Sequence, residues 1–307
     1  MHAPDATAAE LAAAQHGLIT YHQALAAGLS PAAVRTRRES GRWTRVGRGV
    51  YRIAGAPVTW QQRAMAAQLG APPGSVSSHL TAAALAGLDL APPPLPHLTV
   101  ERGRSRRWPG AVIHSARLPV ADVTVLQGVP ATTVARTLID CAAVLGPKRL
   151  QQLVDEAVHK RLVDPAQIPG AWDLARRAPG RAGEVRLRGA LEPWTGAIRP
   201  GSPAEVRLRR QVVAWGFPEP ELQVPVVDER GRVIGLIDLG WTAERIGIEY
   251  DSAEFHGPSR WRHDEQRQRA IERQGWVLLR ADKLDLQPGA SRLRDAVLTA
   301  WRRRRAA

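Results

Sequence analysis

The stretch that decides the fold of the C-terminal part of this chain is residues 233–251, VIGLIDLGWTAERIGIEYD. Two apolar runs, 233–239 and 246–250, flank a short polar segment, and this pattern predicts two strands of a hairpin. Each run is interrupted by one acid, Asp238 in the first and Glu249 in the second. An unpaired acid inside a buried strand is costly, so these two carboxylates are the first candidates for a functional site.

The elements around this hairpin complete a mixed α/β domain. Ser202 and Glu205 have the spacing of a capping box, which predicts a helix over 202–215. A strand is predicted over 221–227, a basic helix over 260–274 and a last strand over 276–280. The predicted order is therefore αβββαβ.

The hairpin also predicts a cation. Paired strands can bring Asp238 and Glu249 side by side, where two carboxylates repel unless a cation compensates them. Mg²⁺ (or Mn²⁺) takes oxygen ligands, keeps several waters and bridges to substrate phosphate. A bound ion would polarise a phosphate and lower the pKa of an attacking water.

The composition indicates a nucleic-acid partner. The chain has 307 residues and a formal net charge of +14, and Lys and Arg gain by displacing counterions from phosphates. A GC-rich genome explains why arginine replaces lysine, but it does not explain the excess over acids. The charge is about +11 over the first 199 residues and about +3 beyond them. The first 199 residues are therefore suited to binding phosphate groups, and the residues beyond them are suited to binding a metal ion.

Three further observations favour a cytoplasmic protein without a membrane segment. No stretch of about 18 apolar residues is free of charge. The N-terminus lacks the basic and apolar segments of a secretory signal. The single cysteine, Cys141, excludes an internal disulfide and cannot make a cysteine zinc site alone.

Length and linkers divide the chain into three blocks, residues 1–55, 56–199 and 200–307. The run RPGSP at 199–203 disfavours helix and strand alike. The middle block reads as a mixed scaffold with a helix from Ser77, strands over 97–101 and 111–114, and a helix from Thr133. We interpret His79 and His114 as structural, because they lack partners at ligand spacing. Arg136 and Asp140 are interpreted as a helix-surface pair.

The first block predicts a winged helix-turn-helix. Helices are expected over 6–15, 21–27 and 31–39, with Thr20 and Ser30 as N-caps, followed by short strands over 43–46 and 50–53. The recognition helix and wing carry six arginines that could contact DNA: Arg35, Arg37, Arg38, Arg42, Arg45 and Arg48. The alternative is a solvated basic face, or a winged helix that contacts another protein.

The N-terminal motifs resemble a known family. GLIT at 17–20, AAGLS at 26–30 and GRWTRVGRGVYR at 41–52 look like the N-terminal domain of AbiEi-type antitoxins, and TVARTLID at 133–140 is similar to a later segment. The resemblance implies a winged helix that binds the operator DNA of its own operon, and a possible cognate toxin as partner.

The C-terminal motifs resemble the PD-(D/E)xK nucleases, and more closely their Vsr-like branch. The matching segments are SPAE at 202–205, QVPV at 223–226, LIDLGW at 236–241, IGIEYD at 246–251, FH at 255–256 and GWVLLR at 275–280, with Arg260, Asp264 and Arg267 between them. The resemblance implies Asp238 and Glu249 as metal ligands and Glu205 as an outer acid. Asp251 stands where the family keeps a lysine, so His256 or a metal-bound water would take the base role.

Simpler readings of these residues remain open. Glu205 could serve only as a cap, Asp251 only as a loop cap, and His256 as a surface loop residue. Asp264 and Arg267 could be a helix pair, although Arg260 and Arg267 also suit nucleic-acid binding. The functions that remain are a DNA-targeting endonuclease, a non-catalytic antitoxin-like regulator with a degenerate nuclease fold, and an RNA-directed enzyme. We expect duplex DNA as the partner.

Overall fold

The chain forms two compact units, Met1–Ala190 and Leu191–Ala307. The computed structural model describes residues 3–101, 108–169, 181–195, 200–251, 258–287 and 289–306, without the side chains of 181–182 and 258–264. The boundary between the units falls inside a helix, several residues before the predicted linker at 199–203.

The first part of the N-terminal unit is a helical cluster with a small antiparallel sheet, in the strand order β1-β3-β2. Its elements are α1 (Ala3–Ala14), β1 (Leu18–Thr20), α2 (Tyr21–Ala26), α3 (Pro31–Glu39), β2 (Trp43–Gly47) and β3 (Val50–Ile53). The three predicted helices and the hairpin are present, so this region fits a winged helix. Strand β1 was not predicted, because its three residues are too few to show a period.

The caps of α2 and α3 follow the predicted chemistry. The Thr20 side chain accepts a hydrogen bond from the Gln23 amide, and the Gln23 side chain accepts one from Thr20, which completes a capping box. The Ser30 side chain accepts from the Ala33 amide, with Pro31 in the first turn. Local sequence therefore fixes where both helices begin.

The rest of this unit contains a five-stranded mixed sheet in the order β6-β5-β4-β8-β7. The strands are β4 (Val76–Ser77), β5 (His97–Val100), β6 (Val112–Ser115), β7 (Val123–Leu126) and β8 (Val129–Thr132). The helices are α4 (Trp60–Gly70), α5 (His79–Leu85), α6 (Val134–Val144), α7 (Pro147–His159) and α8 (Arg181–Thr195). Strands β4, β7 and β8 and helices α4, α7 and α8 were not predicted from the sequence.

The winged helix and the five-stranded sheet share buried residues. Leu18 and Val50 of the small sheet pack in one cluster with Met65, Leu85 and Val129 of the following block. The expected boundary near residue 55 is therefore not a boundary between compact units, since apolar burial crosses it.

The C-terminal unit has the predicted αβββαβ order followed by one more helix. Its elements are α9 (Pro203–Ala214), β9 (Glu221–Val227), β10 (Val233–Trp241), β11 (Ile246–Tyr250), α10 (Pro258–Arg273), β12 (Val277–Ala281) and α11 (Arg292–Ala306). The sheet order is β12-β11-β10-β9, with antiparallel pairs except for the parallel pair β11–β12.

Both faces of this sheet are covered by apolar packing. One cluster joins Leu208 of α9 and Trp301 of α11 to Ile248, and a second joins Ile271 of α10 to Ile237. Burial on both faces makes the strands continuously apolar, and an acid within them therefore stands out. Within the described residues, no helix is both long and apolar enough to cross a membrane.

Candidate functional site

Four polar side chains lie in one row across the C-terminal sheet, one from each strand. The register of neighbouring pairs places Gln223 opposite Asp238, Asp238 opposite Glu249, and Glu249 opposite Arg280. Residues opposite each other on paired strands point to the same face. The sheet therefore brings Asp238 and Glu249 side by side, the arrangement that the hairpin pattern predicts.

Asp238 is held at both carboxylate oxygens. Its Oδ2 accepts a hydrogen bond of 2.9 Å from the Tyr250 amide. Its Oδ1 lies 3.4 Å from the Gln223 side-chain amide nitrogen, which also donates to Glu205 Oε2 at 3.0 Å. Gln223 thus ties two acids together, a role that the sequence analysis did not assign to it. The only sequence signal was its place in the QVPV segment.

Glu205 is both a cap and a member of the site. Its amide donates to the Ser202 side chain at 3.2 Å, and its Oε2 accepts from the Gly201 amide at 2.7 Å. The side chain is nevertheless buried, at 6% exposure, and it shares the Gln223 donor with Asp238. Ser202 therefore caps the helix as predicted, but the Glu205 carboxylate bonds the Gly201 amide and not the Ser202 amide, so the predicted capping box is only half formed.

Two arginines face the other end of the row. Arg267 Nη2 of α10 lies 2.7 Å from Glu249 Oε1, and Arg280 lies 3.9 Å from Glu249 Oε2 and 3.4 Å from Asp251 Oδ2. Glu249 is buried at 7% exposure, and its Oε1 has this ion pair but no hydrogen bond of good geometry. Arg280 belongs to the GWVLLR segment at 275–280, but it is not among the predicted site residues.

Desolvation acts on two buried acids, Glu205 and Glu249, and on the half-buried Asp238. It raises the pKa of Glu205, Asp238 and Glu249 above their ordinary values, because desolvation disfavours the charged form. The charge of Asp238 raises the pKa of both glutamates further, while Arg267 lowers that of Glu249. The protonated forms of these three acids are therefore favoured more than they would be in water.

Of the other predicted residues of this site, some lie outside the described structure and two, Asp251 and Arg267, lie within it. Residues 252–257, which include His256, are not described, and neither are the side chains of Arg260 and Asp264. Asp251 lies after β11, where its amide donates to Ala281 at 2.7 Å. Arg267 is on α10 and reaches the row of acids as well as the Leu236 carbonyl.

The wing and recognition helix present an exposed basic surface. The exposed arginines, which we call the wing arginines, are Arg35 and Arg38 on α3 and Arg42, Arg45 and Arg48 on or beside the hairpin. Arg38 also lies over the Tyr51 ring at 5.8 Å, which steadies it on the hairpin. Five of the six predicted arginines can therefore reach a phosphate or a base edge.

Arg37 is the exception. Its side chain is only 14% exposed and pairs with Asp5 of α1 at 2.5 Å, while Nη1 donates to the Ala33 carbonyl at 2.8 Å. The guanidinium also lies over Trp43 at 5.8 Å. Helical spacing turns Arg37 toward α1 rather than outward, so it holds the domain together and is not a free DNA contact.

In the middle block, the expected surface pair is wrong, and so is the premise that two histidines lack partners. Arg136 and Asp140 do not form a surface pair, because their side chains are only 0% and 6% exposed. Arg136 bridges Asp140 and Asp122 at 2.9 and 2.8 Å. His79 and His114 are not lone histidines either, since they stack with a centroid separation of 3.5 Å beside His97. Sequence spacing could not show this, because the three histidines come from three elements.

Comparison with known proteins places the N-terminal region. Residues 7–54 match a family model described as transcriptional regulator, AbiEi antitoxin. This region is similar to the AbiEi-type regulator domain. The match confirms the N-terminal resemblance and covers α1 to β3, which carry the wing arginines.

Longer similarity extends to two uncharacterized proteins of Mycobacterium tuberculosis, one from strain CDC 1551 and one from strain H37Rv. Each is 29% identical over 212 residues, which is 68% of this chain and 75% of the relative. The AbiEi-type match ends at residue 54, so the resemblance of the C-terminal unit to Vsr-like nucleases stays a prediction.

Proposed function

We propose that this protein binds duplex DNA through its AbiEi-type domain and hydrolyses phosphodiester bonds at the row of acids in its C-terminal unit. The observation that carries the proposal is the pair Asp238 and Glu249, placed side by side on β10 and β11 in a largely apolar sheet. Two adjacent carboxylates, one buried at Glu249 and one half-buried at Asp238, favour a cation between them.

The donor set fits a hard divalent cation. Asp238 and Glu249 offer carboxylate oxygens, which Mg²⁺ and Mn²⁺ prefer, and Glu249 Oε1 is a buried oxygen without a hydrogen bond. When bound, such an ion supplies a Lewis acid for the phosphate and a more acidic water. Arg267 lies on Glu249 Oε1, so it must turn away before that oxygen can act as a ligand.

The chain's own residues would orient and neutralise the substrate. Gln223 and the Tyr250 amide fix the Asp238 carboxylate, so its orientation is set before substrate arrives. Arg267 and Arg280 are donors within reach of a bound phosphate, whose developing charge they would offset. Glu205, with its raised pKa, is placed to hold a proton near the reacting oxygens. His256 is proposed as the proton acceptor from water, as the Vsr-like resemblance implies.

Cleavage of supercoiled plasmid with Mg²⁺ or Mn²⁺ tests this function. Asp238→Asn keeps the shape and the acceptor for the Tyr250 amide but removes the charge, so we expect no detectable cleavage. Glu265→Gln is the matched control, because Glu265 is an exposed acid of α10 that pairs with Arg269 at 2.6 Å. Equal cleavage by wild type and Asp238→Asn refutes the site.

DNA binding is tested separately with the wing arginines. Replacing Arg35, Arg38 and Arg48 by Ala should weaken binding to duplex DNA and flatten the log–log salt dependence by about 0.9 per lost phosphate contact. Arg37→Ala should lower thermal stability through loss of the Asp5 pair but leave the salt slope unchanged. An unchanged slope in the triple variant would exclude the wing as the DNA surface.

A second function, a non-catalytic antitoxin-like regulator, is favoured by one observation at the same site. Asp251 occupies the position where the nuclease resemblance expects lysine, and Arg267 covers Glu249 with an ion pair of 2.7 Å. A cognate toxin would then be the partner, as the AbiEi-type domain suggests. Wing-dependent operator binding without any metal-dependent cleavage by the wild type selects this alternative.

A further inference from the structure

Three histidines meet inside the N-terminal unit, far along the chain from the acids described above. His79 is the first residue of α5, His97 is the first residue of β5, and His114 lies on β6. One ring nitrogen from each histidine lies within 4.8 Å of the others. Among the described residues, no other group of three or more histidine, cysteine or acidic side chains comes together in this way.

The fold brings the rings together by strand pairing and by one helix start. Strands β5 and β6 are parallel, with Thr99 opposite His114. His97 is two residues before Thr99 on the same strand, so His97 and His114 lie on the same face of the sheet. The Ser78 amide donates to the His97 carbonyl at 3.0 Å, which holds the start of α5 against the start of β5. The meeting point therefore depends on backbone contacts and not on the rings alone.

The distances suit one metal ion. His97 Nδ1 and His114 Nε2 are 3.0 Å apart, whereas tetrahedral zinc with bonds of about 2.05 Å separates its ligand nitrogens by about 3.3 Å. The His79 and His114 rings are stacked with an interplanar angle of 17°, so they must fan apart slightly to point at a common centre. The required movement is a rotation of side chains and needs no change of fold.

Outer contacts orient the first ligand. The Ser78 hydroxyl lies 2.9 Å from His79 Nδ1, and the Thr99 hydroxyl donates to Ser78 at 2.8 Å. A hydrogen bond at one ring nitrogen directs the other toward a metal and fixes the tautomer. His79 also has a φ of +49°, a left-handed conformation that costs a non-glycine residue on the order of 1 kcal/mol. Backbone strain of this kind is expected where a side chain must be held in one orientation for binding.

A buried arginine lies near the histidines, but its own charge is paired with two aspartates. Arg136 lies near enough to lower the pKa of His79, but it is bound to both Asp122 and Asp140. Burial lowers the pKa of all three histidines, and neighbouring rings lower the pKa of His79 and His114 further. Neutral imidazole is the form that binds metal.

We propose that His79, His97 and His114 form a binding site for one divalent transition-metal ion of the zinc type. Three imidazole nitrogens suit Zn²⁺, Co²⁺, Ni²⁺ or Cu²⁺ and discriminate against Mg²⁺, which prefers oxygen. Three protein ligands leave a fourth position for water or another small ligand. The ion would tie α5, β5 and β6 together in the unit that carries the AbiEi-type domain.

The test uses the untagged, chelator-treated full chain. Titration with Co²⁺ should give the intense visible absorption of four-coordinate cobalt with nitrogen ligands, and metal analysis after Zn²⁺ loading should find one tightly held ion in the N-terminal site. His114→Gln should weaken zinc binding by more than about 100-fold, since loss of an outer contact alone costs about 10–100-fold. Ser78→Ala, which removes only such an outer contact, should fall in that smaller range.

Controls separate this site from other metal ligands. His159→Gln removes an exposed histidine at the end of α7 and should leave zinc binding unchanged. Asp238→Asn in the C-terminal unit should also leave the cobalt spectrum intact, so failure of the proposed nuclease site would not affect this result. Zinc affinity that is equal in wild type and His114→Gln overturns the proposal. If His114→Gln does not fold, a wild-type cobalt spectrum without four-coordinate bands overturns it equally.

Discussion

Replacing Arg136 by Met should destabilise the N-terminal unit strongly. Arg136 has a fully buried side chain and contacts Asp122 and Asp140 at 2.8 and 2.9 Å. It also donates to the Arg117 carbonyl at 3.1 Å. Methionine fills much of the same space, so the change removes charge and hydrogen bonds more than volume. Two buried carboxylates then face each other without a cation.

The size of the effect follows from burial. Removing one partner of a buried ion pair costs about 3–5 kcal/mol, because the remaining charge is left uncompensated. For a unit of this size, each kcal/mol lowers Tm by about 2–4 °C, so the loss should be on the order of 10 °C. Arg188→Ala is the matched control. Arg188 pairs with Glu184 at the same 2.9 Å and the same helical spacing, but the two side chains are 80% and 41% exposed. Its loss should cost only about 0.3–0.5 kcal/mol.

The defect should also depend on pH. Burial raises the pKa of Asp140 to about 6 even though Arg136 lowers it, and without Arg136 the pKa must rise further. A folded-state pKa above the unfolded value makes stability fall as pH rises through that window. The variant should therefore lose more stability near about pH 8 than near about pH 5.

Urea unfolding of the full chain at both pH values, with thermal melts beside it, measures this defect. The triple change Arg136→Met, Asp122→Asn and Asp140→Asn should recover much of the loss, because no charge then stays buried alone. A cost below about 1 kcal/mol for Arg136→Met, similar to that of Arg188→Ala, would refute the argument from burial.

Three further outcomes are expected. Gly247→Ala should lower the free energy of unfolding in urea by about 1–3 kcal/mol, because a Cβ there meets Ile237 Cγ2 at 2.7 Å. The control is Gly189→Ala on α8, whose added Cβ meets no atom within 4 Å and should not destabilise the protein. Equal losses of stability in the two variants would contradict the packing. Thr20→Ala should cost about 1 kcal/mol through loss of the capping box, and a thermal melt unchanged from wild type would count against it. Cys141 is buried with a raised pKa, so a thiol reagent should modify it only in denaturant, and rapid labelling of the native protein would show that α6 is open.

Much of the C-terminal site is readable in the sequence because a sheet enforces simple geometry. The turn between two apolar strands sets their register, and a register places Asp238 beside Glu249 regardless of the rest of the chain. The αβββαβ order follows equally from apolar runs and caps. Arg280 escaped notice because β12 pairs with β11 across an intervening helix, a contact that no local pattern reports. Gln223 lies on the hairpin neighbour of β10, but as a neutral amide in an apolar strand it carries no charge that would single it out.

The sequence by itself determined the elements whose causes are local. Thr20, Ser30 and Ser202 cap their helices because a side-chain oxygen needs only a backbone amide a few residues away. The wing arginines were visible for the same reason, since helix and hairpin periodicity expose them. Only the tertiary structure decided that Arg37 binds Asp5 and that Arg136 is buried between two aspartates. It alone brought His79, His97 and His114 within 4.8 Å, because those contacts join elements whose separation in space is set by packing of the whole unit.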